Sequence, residues 1–128
     1  MLSKAFNGKK PVFRLQKRRQ FQQVYKTEQK IPLQHVVIFF KYHNDNDEII
    51  VSKRVGITVT KRIGNAVIRN KIKRRFREIF RRLEPVIVSG IDLVFVAKRG
   101  VEKTSFADLL REIENGLREH ELLNEYTS

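Results

Sequence analysis

The strongest constraint on this chain comes from residues 61–82, where ten side chains are lysine or arginine and Glu78 is the single acid. When these residues are placed on a helix at about 100° per residue, the apolar side chains fall on one face and most cations on the opposite face. This pattern predicts an amphipathic helix with one face in a hydrophobic core and a cationic face suited to a polyanion. The apolar stripe consists of Ile68, Ile72, Phe76, Ile79, Phe80 and Leu83.

The first turn of this helix favours a bound phosphate group. Asn65 follows a glycine and is a good N-cap, because its side-chain oxygen can accept a hydrogen bond from an early helical N–H. Lys61 and Arg62 lie next to the helix N-terminus, where backbone donors and the helix dipole already favour an anion. Arg69 and Asn70 follow one turn later, which makes the pattern more specific than a Gly-Asn turn alone. The segment therefore predicts a helix that docks on nucleic acid.

The composition points the same way without identifying the polyanion. The 128 residues carry a formal net charge of +13 and are 41% hydrophobic, which predicts one domain with a real core and an attraction to RNA, DNA or an anionic membrane. The chain has no cysteine, and its three histidines lack the spacing of metal ligands, so disulfide scaffolds and cysteine-based zinc sites are excluded. No apolar run reaches the roughly 18 residues of a membrane span, and no signal-peptide core is present, so a cytoplasmic location is expected.

The N-terminal part of the chain predicts a flexible segment followed by a helix. Residues 1–12 form a basic leader. In residues 16–27, Phe21, Val24 and Tyr25 recur at helical spacing, which predicts an amphipathic helix. By themselves, two aromatic side chains four residues apart on a helix are expected to pack in a core.

Three strands are predicted between this helix and the basic one. Residues 30–32 can form only a short edge strand, because Pro32 has no backbone donor. Residues 36–40 are β-branched or aromatic, which is typical of a strand covered on both faces. Turn-forming residues at 44–47 lead into residues 48–60, so we expect these two longer segments to form an antiparallel hairpin.

After the basic helix the pattern predicts one more strand and one more helix. Pro85 ends the basic helix, and residues 91–97 have the apolar composition of a buried strand. Ser105 and Asp108 are spaced as a helix cap. Residues 102–125 contain seven of the fourteen acids of the chain, so the last helix is not expected to face a polyanion. Its core stripe consists of Phe106, Leu109, Leu110, Ile113 and Leu117.

The predicted elements follow the order α-β-β-β-α-β-α. This order, with no repeat and no interdomain linker, predicts the α+β class: a single small domain in which helices pack on a four-stranded sheet. The expected boundaries are a flexible basic leader at residues 1–12, the domain at 13–123 and a C-terminal tail at 124–128.

The signature of the bacterial ribonuclease P protein component closely resembles residues 61–77, KRIGNAVIRNKIKRRFR. The resemblance extends to the strand segments 54–60 and 90–100 and covers roughly residues 13–122. It implies a basic subunit of the ribonucleoprotein that removes the 5′ leader from precursor tRNA. In that enzyme the RNA subunit is expected to catalyse the cleavage and to bind most of the Mg²⁺, while the protein positions RNA. The resemblance also implies a left-handed β-α-β crossover, where general topology rules favour a right-handed one.

The same resemblance implies two RNA-binding surfaces. On the first, arginine can bind phosphate through two parallel hydrogen bonds and asparagine can donate to sugar or phosphate oxygens. The residues implied to bind the catalytic RNA are Lys61, Arg62, Asn65, Arg69, Asn70, Lys71, Lys73, Arg74 and Arg77, with Arg75 and Arg81 as extensions. The second surface is a cleft between the first helix and the sheet, where an aromatic ring can stack on an unpaired base of any identity. The residues implied to bind the leader of precursor tRNA are Phe21, Tyr25, Phe39, Lys53, Arg54 and Thr58, and strand alternation decides which of them face the cleft.

The residue pattern contains no catalytic centre of its own. It has no nucleophile with an adjacent histidine, no glycine-rich phosphate loop and no convergent carboxylates for a two-metal nuclease, so no catalytic residue and no metal site are assigned to the protein alone. A ribosomal protein or general RNA chaperone is the alternative, since it would share the charge. A DNA-binding regulator would require a helix-turn-helix, and a membrane-binding protein would require a spare apolar face.

Overall fold

The computed structural model describes residues 14–15, 17–27, 29–43 and 53–124, and in these ranges the helices and strands follow the predicted order. Short 3₁₀ turns lie at Lys61–Ile63, Glu84–Val86 and Val101–Lys103. The expected leader at residues 1–12, the turn at 44–47 and most of the C-terminal tail lie outside the described residues. The elements are α1 (Arg18–Tyr25), β1 (Lys30–Pro32), β2 (Val36–Tyr42), β3 (Lys53–Thr58), α2 (Ala66–Leu83), β4 (Ile91–Ala97) and α3 (Phe106–Glu119).

The four strands form one sheet in the order β1-β2-β4-β3. β1 lies at an edge of this sheet and pairs with β2, as expected for a proline-containing edge strand. β4 pairs antiparallel with β2 and parallel with β3, so α2 is the crossover between two adjacent parallel strands. The left-handed sense of this crossover stays a prediction from the family resemblance.

The expected hairpin between β2 and β3 is wrong, because β4 lies between them. β4 is the most buried strand, since its residues Ile91 to Phe95 are all buried. A strand of this kind is stabilised when it has neighbours on both edges and cover on both faces. A turn signal acts locally and carries no information about a strand that arrives forty residues later along the chain, roughly the span of one β-α-β unit.

The sheet separates two apolar clusters. On one face, α2 and α3 cover the main core, in which Phe76 and Phe95 are fully buried with ring centroids 5.6 Å apart. On the other face, α1 covers a smaller cluster built on Leu15, Val24 and Val94. Because side chains alternate along a strand, β2 and β4 contribute to both clusters. The predicted apolar stripe of α2 is thereby confirmed as a core face, with Ile72, Phe76, Ile79, Phe80 and Leu83 buried.

Candidate nucleic-acid interface

The turn that leads into α2 is held by its own side chains. The side chain of Asn65 accepts a hydrogen bond from the backbone N–H of Ile68 at 3.0 Å, which confirms the predicted N-cap. Arg69 Nη1 donates to the carbonyl oxygen of Gly64 at 3.3 Å. A Cβ at Gly64 would lie 3.1 Å from the side chain of Ile68, so the glycine allows this close approach. Ile63 is buried and anchors the 3₁₀ turn before the helix.

One exposed face of α2 collects most of the cations that the sequence pointed to. Side chains three and four residues apart share a helix face, and the exposed residues Asn70, Lys71, Arg74 and Arg77 follow this spacing. Val67 lies on the same stripe one turn earlier and is 76% exposed. Lys61, Arg62 and Asn65 are exposed before the helix, whereas Arg69 and Lys73 are half-buried at the flanks. Within the described part of the chain, none of the cations in this set forms an ion pair.

The remaining cations of α2 are bonded to other groups of the same chain. Arg75 Nη1 donates to the carbonyl oxygen of Thr104 at 2.9 Å. Arg81 Nε and Arg82 Nε each lie 3.0 Å from a carboxylate oxygen of Glu78. Hydrogen bonds from these two arginines lower the pKa of Glu78 from 4.5 to about 2. The suggested extensions of the RNA surface, Arg75 and Arg81, are therefore bonded to Thr104 and Glu78, respectively.

Most of the residues that the resemblance implies for a leader cleft lie between α1 and the sheet. The Tyr25 ring meets the Phe39 ring edge-on, with centroids 4.9 Å apart. Its hydroxyl oxygen lies 3.1 Å from Thr58 Oγ1. The Phe21 ring lies against Gly56 on β3, and these aromatic side chains are all half-buried. The structure therefore brings Phe21, Tyr25, Phe39 and Thr58 together on one face of the sheet.

Arg54 lies on the same face of β3 as Gly56 and Thr58, two and four residues before them. Its Nε and Nη2 donate to the two carboxylate oxygens of Asp92 at 2.8 and 2.9 Å. His43 Nε2 lies 2.7 Å from Asp92 Oδ1. The buried carboxylate of Asp92 therefore contacts two side chains, Arg54 and His43, that are distant from it in the sequence. Sequence reasoning missed this cluster. Its signal was a single acid at the second position of an otherwise apolar strand, since a buried acid requires partners.

Lys53 is the one cleft candidate that the structure places elsewhere. It lies on the opposite face of β3, with Val55 and the main core, because successive side chains of a strand point to opposite faces. Its Nζ donates to the carbonyl oxygen of Glu84 at 2.6 Å and lies 3.4 Å from the carboxylate of the same residue. Lys53 therefore binds the C-terminal end of α2 and is separated from the other five cleft residues.

The family model for ribonuclease P matches residues 10–121 of the chain. The chain belongs to the ribonuclease P protein family. The ribonuclease P protein component of Gluconacetobacter diazotrophicus is 38% identical over 108 residues, which cover 82% of this chain and 88% of that protein. The component of Syntrophus aciditrophicus is 39% identical over 100 residues, 78% of this chain and 80% of that protein.

Solved ribonuclease P proteins also share the fold. The protein of Staphylococcus aureus superposes with a TM-score of 0.77 at 29% identity, covering 88% of this chain and 99% of that one. The protein of Thermotoga maritima gives a TM-score of 0.71 at 28% identity, covering 90% and 98%. The chain is thus a subunit of ribonuclease P, an endoribonuclease of tRNA processing, and the family match disfavours the ribosomal and chaperone alternatives.

Membership in the ribonuclease P family implies RNA partners and catalysis by RNA. In the described ranges, histidine, aspartate and glutamate side chains form no group of three or more that could hold a metal ion. None of the described helices has the length and apolarity that a membrane crossing requires.

Proposed function

We propose that this subunit binds the catalytic RNA of ribonuclease P through the exposed face of α2 and the 5′ leader of precursor tRNA through the cleft under α1. The observation that carries the proposal is the separation of two chemically different surfaces. Cations that form no ion pair within the described residues line α2, whereas half-buried aromatic rings line the cleft on the opposite face of the sheet. Catalytic RNA and leader can then be held at the same time.

The α2 surface suits the phosphate backbone of a folded RNA. The residues that would contact the catalytic RNA are Lys61, Arg62, Asn65, Arg69, Asn70, Lys71, Lys73, Arg74 and Arg77. Neutralising phosphates releases counterions, so binding through this face falls steeply with salt. The helix N-terminus adds backbone donors beside Lys61 and Arg62. The hydrogen bonds made by the side chains of Asn65 and Arg69 hold the turn before the helix and so fix the position of these two cations relative to it.

The cleft surface suits an unpaired leader of variable sequence. Phe21 is the proposed stacking ring, because Tyr25 already packs edge-on against Phe39 and bonds to Thr58. Tyr25, Phe39 and Thr58 would form the wall of the cleft. Arg54 would meet the leader backbone at one end, held by Asp92. Lys53 is left out of the proposed surface because it points into the other face of the sheet.

Cleavage itself is assigned to the RNA subunit, with Mg²⁺ bound mainly there. The protein supplies binding and orientation, which fits the carboxylates of the described residues: Glu78, Glu84 and Asp92 are in ion pairs, and most of the others lie on α3. The proposed setting is the cytoplasm, where tRNA precursors are processed. The RNA-binding domain would span residues 13–123, with the leader at 1–12 and the tail at 124–128 flanking it.

Reconstitution at low Mg²⁺ tests this function. The purified protein and a bacterial ribonuclease P RNA are mixed with precursor tRNA, and release of the 5′ leader is timed. We expect the protein to accelerate cleavage by the RNA and to cleave nothing by itself. Cleavage by the protein alone would reveal an active site in the chain. Tight RNA binding with no acceleration would instead support a ribosomal or chaperone role.

The two surfaces are separated by comparing substrates. Phe21→Ala is expected to weaken binding of precursor tRNA by the assembled enzyme and to leave mature tRNA, which has no leader, unaffected. Arg69→Ala is expected to weaken assembly with the catalytic RNA. Identical defects from both substitutions would contradict the two-surface arrangement.

A further inference from the structure

We propose that Gly56 is a positioning residue of the leader cleft, whose missing side chain provides the seat for the Phe21 ring. The inference rests on the function proposed above and adds a residue to it. It starts from the row of cross-strand partners in the middle of the cleft floor, where Phe39, Val94 and Gly56 lie side by side. Side-chain size falls along this row from a phenyl ring to an isopropyl group to a hydrogen atom. The surface of the sheet is therefore lowest at β3, where Gly56 has no side chain.

The Phe21 ring occupies the space above Gly56 that a side chain would otherwise take. A Cβ at Gly56 would lie 2.5 Å from Phe21 Cε2, 2.7 Å from Phe21 Cζ and 3.3 Å from Leu15 Cδ1. Carbon atoms that are not bonded to each other prefer separations of about 3.5–4.0 Å. Any side chain at this position would thus have to displace the ring by roughly 1 Å.

The backbone does not explain the glycine. The described glycines with positive φ are Gly64, Gly90 and Gly100, so Gly56 adopts a conformation that alanine also accepts. Glycine weakens the interior of a strand and often marks a site where another group approaches closely. The close group here is the Phe21 ring. The glycine therefore makes room for the ring and is not required by the backbone conformation.

Contacts on both edges of β3 and along α1 oppose any separation of the strand and the helix. Gly56 pairs with Val94 on the inner edge of β3, and the neighbouring Val55 carbonyl accepts a hydrogen bond from the backbone N–H of Leu15 at 2.8 Å on the outer edge. α1 is fixed by the fully buried Val24 and by the bond between Tyr25 and Thr58. The ring is the part that must yield, and its height above the sheet sets the space for a stacked base.

The test uses holoenzyme reconstituted with Gly56→Ala, Phe21→Ala and the double variant, and measures affinities for precursor and mature tRNA. We expect Gly56→Ala to weaken precursor binding on the order of tenfold, as for a lost base stack, without affecting mature tRNA. In the Phe21→Ala background the same change should have no further effect, because there is no ring to displace. Gly116→Ala is the matched control: its Cβ would meet Leu33 methyl carbons at 2.9 Å in the main core, away from the cleft.

The outcomes separate this inference from the proposed function. If Phe21→Ala leaves precursor binding unchanged, the leader cleft itself is wrong. If Phe21→Ala weakens precursor binding but Gly56→Ala does not, or if Gly56→Ala acts equally in both backgrounds, the positioning role is overturned. Urea unfolding of the free proteins guards against a folding defect. Gly56→Ala should lower stability when Phe21 is present. When residue 21 is alanine it should leave stability unchanged or raise it, since glycine weakens the interior of a strand, and equal losses in the two backgrounds would also overturn the role.

Discussion

The hydroxyl oxygens of Tyr25 and Thr58 lie 3.1 Å apart, and this hydrogen bond joins α1 to the outer strand of the sheet. The Tyr25 ring also packs edge-on against Phe39. The position of α1 over the sheet, and with it the shape of the cleft, therefore depends on a tyrosine whose polar and apolar ends are both engaged.

Tyr25→Phe should lower the free energy of unfolding by about 1 kcal/mol, because it removes the bond to Thr58 and keeps the ring. Thr58→Val should have a similar effect. In a double-mutant cycle measured by urea unfolding, the coupling between the two substitutions is expected to be about 0.5–1.5 kcal/mol. A coupling near zero would mean that the bond adds no stability in solution.

Arg69→Ala should weaken binding to the catalytic RNA and reduce the slope of log affinity against log salt by about 0.7–0.9, the value for one phosphate contact. Arg81→Ala is the matched control, because Arg81 lies on the same helix but is already paired with Glu78. Filter binding or fluorescence titration at several salt concentrations gives both slopes. Equal slope changes for the two variants would show that an ion pair within the protein does not decide which arginines bind RNA.

Val67→Ser should weaken RNA binding by about fivefold at every salt concentration, because Val67 is an apolar side chain on the cationic face and is 76% exposed. The salt slope should stay unchanged, since no phosphate contact is lost. Serine and valine have similar helix propensities, so the helix itself is not expected to change. Val86→Ser, at a position 39% exposed after the end of α2, is the control and should leave RNA affinity unaltered.

Asp92→Ala should lower the free energy of unfolding by about 3 kcal/mol, because it leaves Arg54 and His43 without the carboxylate that they share in a buried site. Asp108→Ala removes an aspartate that is also paired with an arginine, Arg111, but both side chains are exposed. Its expected cost is below about 1 kcal/mol. Urea unfolding of the two variants under one set of conditions makes the comparison, and equal losses would argue against the burial effect.

Glu78 should contribute to stability in a pH-dependent way. Hydrogen bonds from Arg81 and Arg82 lower its pKa in the folded protein from 4.5 to about 2. The folded state therefore favours the ionised carboxylate, and the stabilisation is present above pH 4.5 and lost as the pH falls towards about 2. Glu78→Gln should flatten the stability profile in this window. Glu102→Gln, which removes an exposed carboxylate from another element, controls for the loss of one negative charge.

The parts of the structure that could be predicted from sequence depend on short-range patterns. The apolar stripe of α2 follows helical periodicity, and its start follows from the capping chemistry of Asn65, which the structure confirms. The cap at Ser105 is confirmed in the same way, with its side chain accepting from the backbone N–H of Asp108 at 3.1 Å. Each of these features involves residues three or four apart, so the relevant neighbours are present in the sequence itself.

The pairing of strands could not be predicted in this way. The turn residues after β2 favoured a hairpin, but β4 takes the place between β2 and β3. Alternation along β3 divides its residues into two sets, yet it does not tell which set faces α1. In the structure, Arg54 lies on the α1 side of the sheet beside Asp92, whereas Lys53 lies on the other side at the end of α2.

The sequence alone determined the cationic helix, its cap and its core stripe, because these features depend on side chains three or four residues apart. It also carried the resemblance that led to the family. Only the tertiary structure decided which cations form ion pairs, which residues meet between α1 and the sheet and where the Phe21 ring lies. These relations depend on register and on contacts between distant segments. The burial of β4 under both layers is the physical cause that fixes that register.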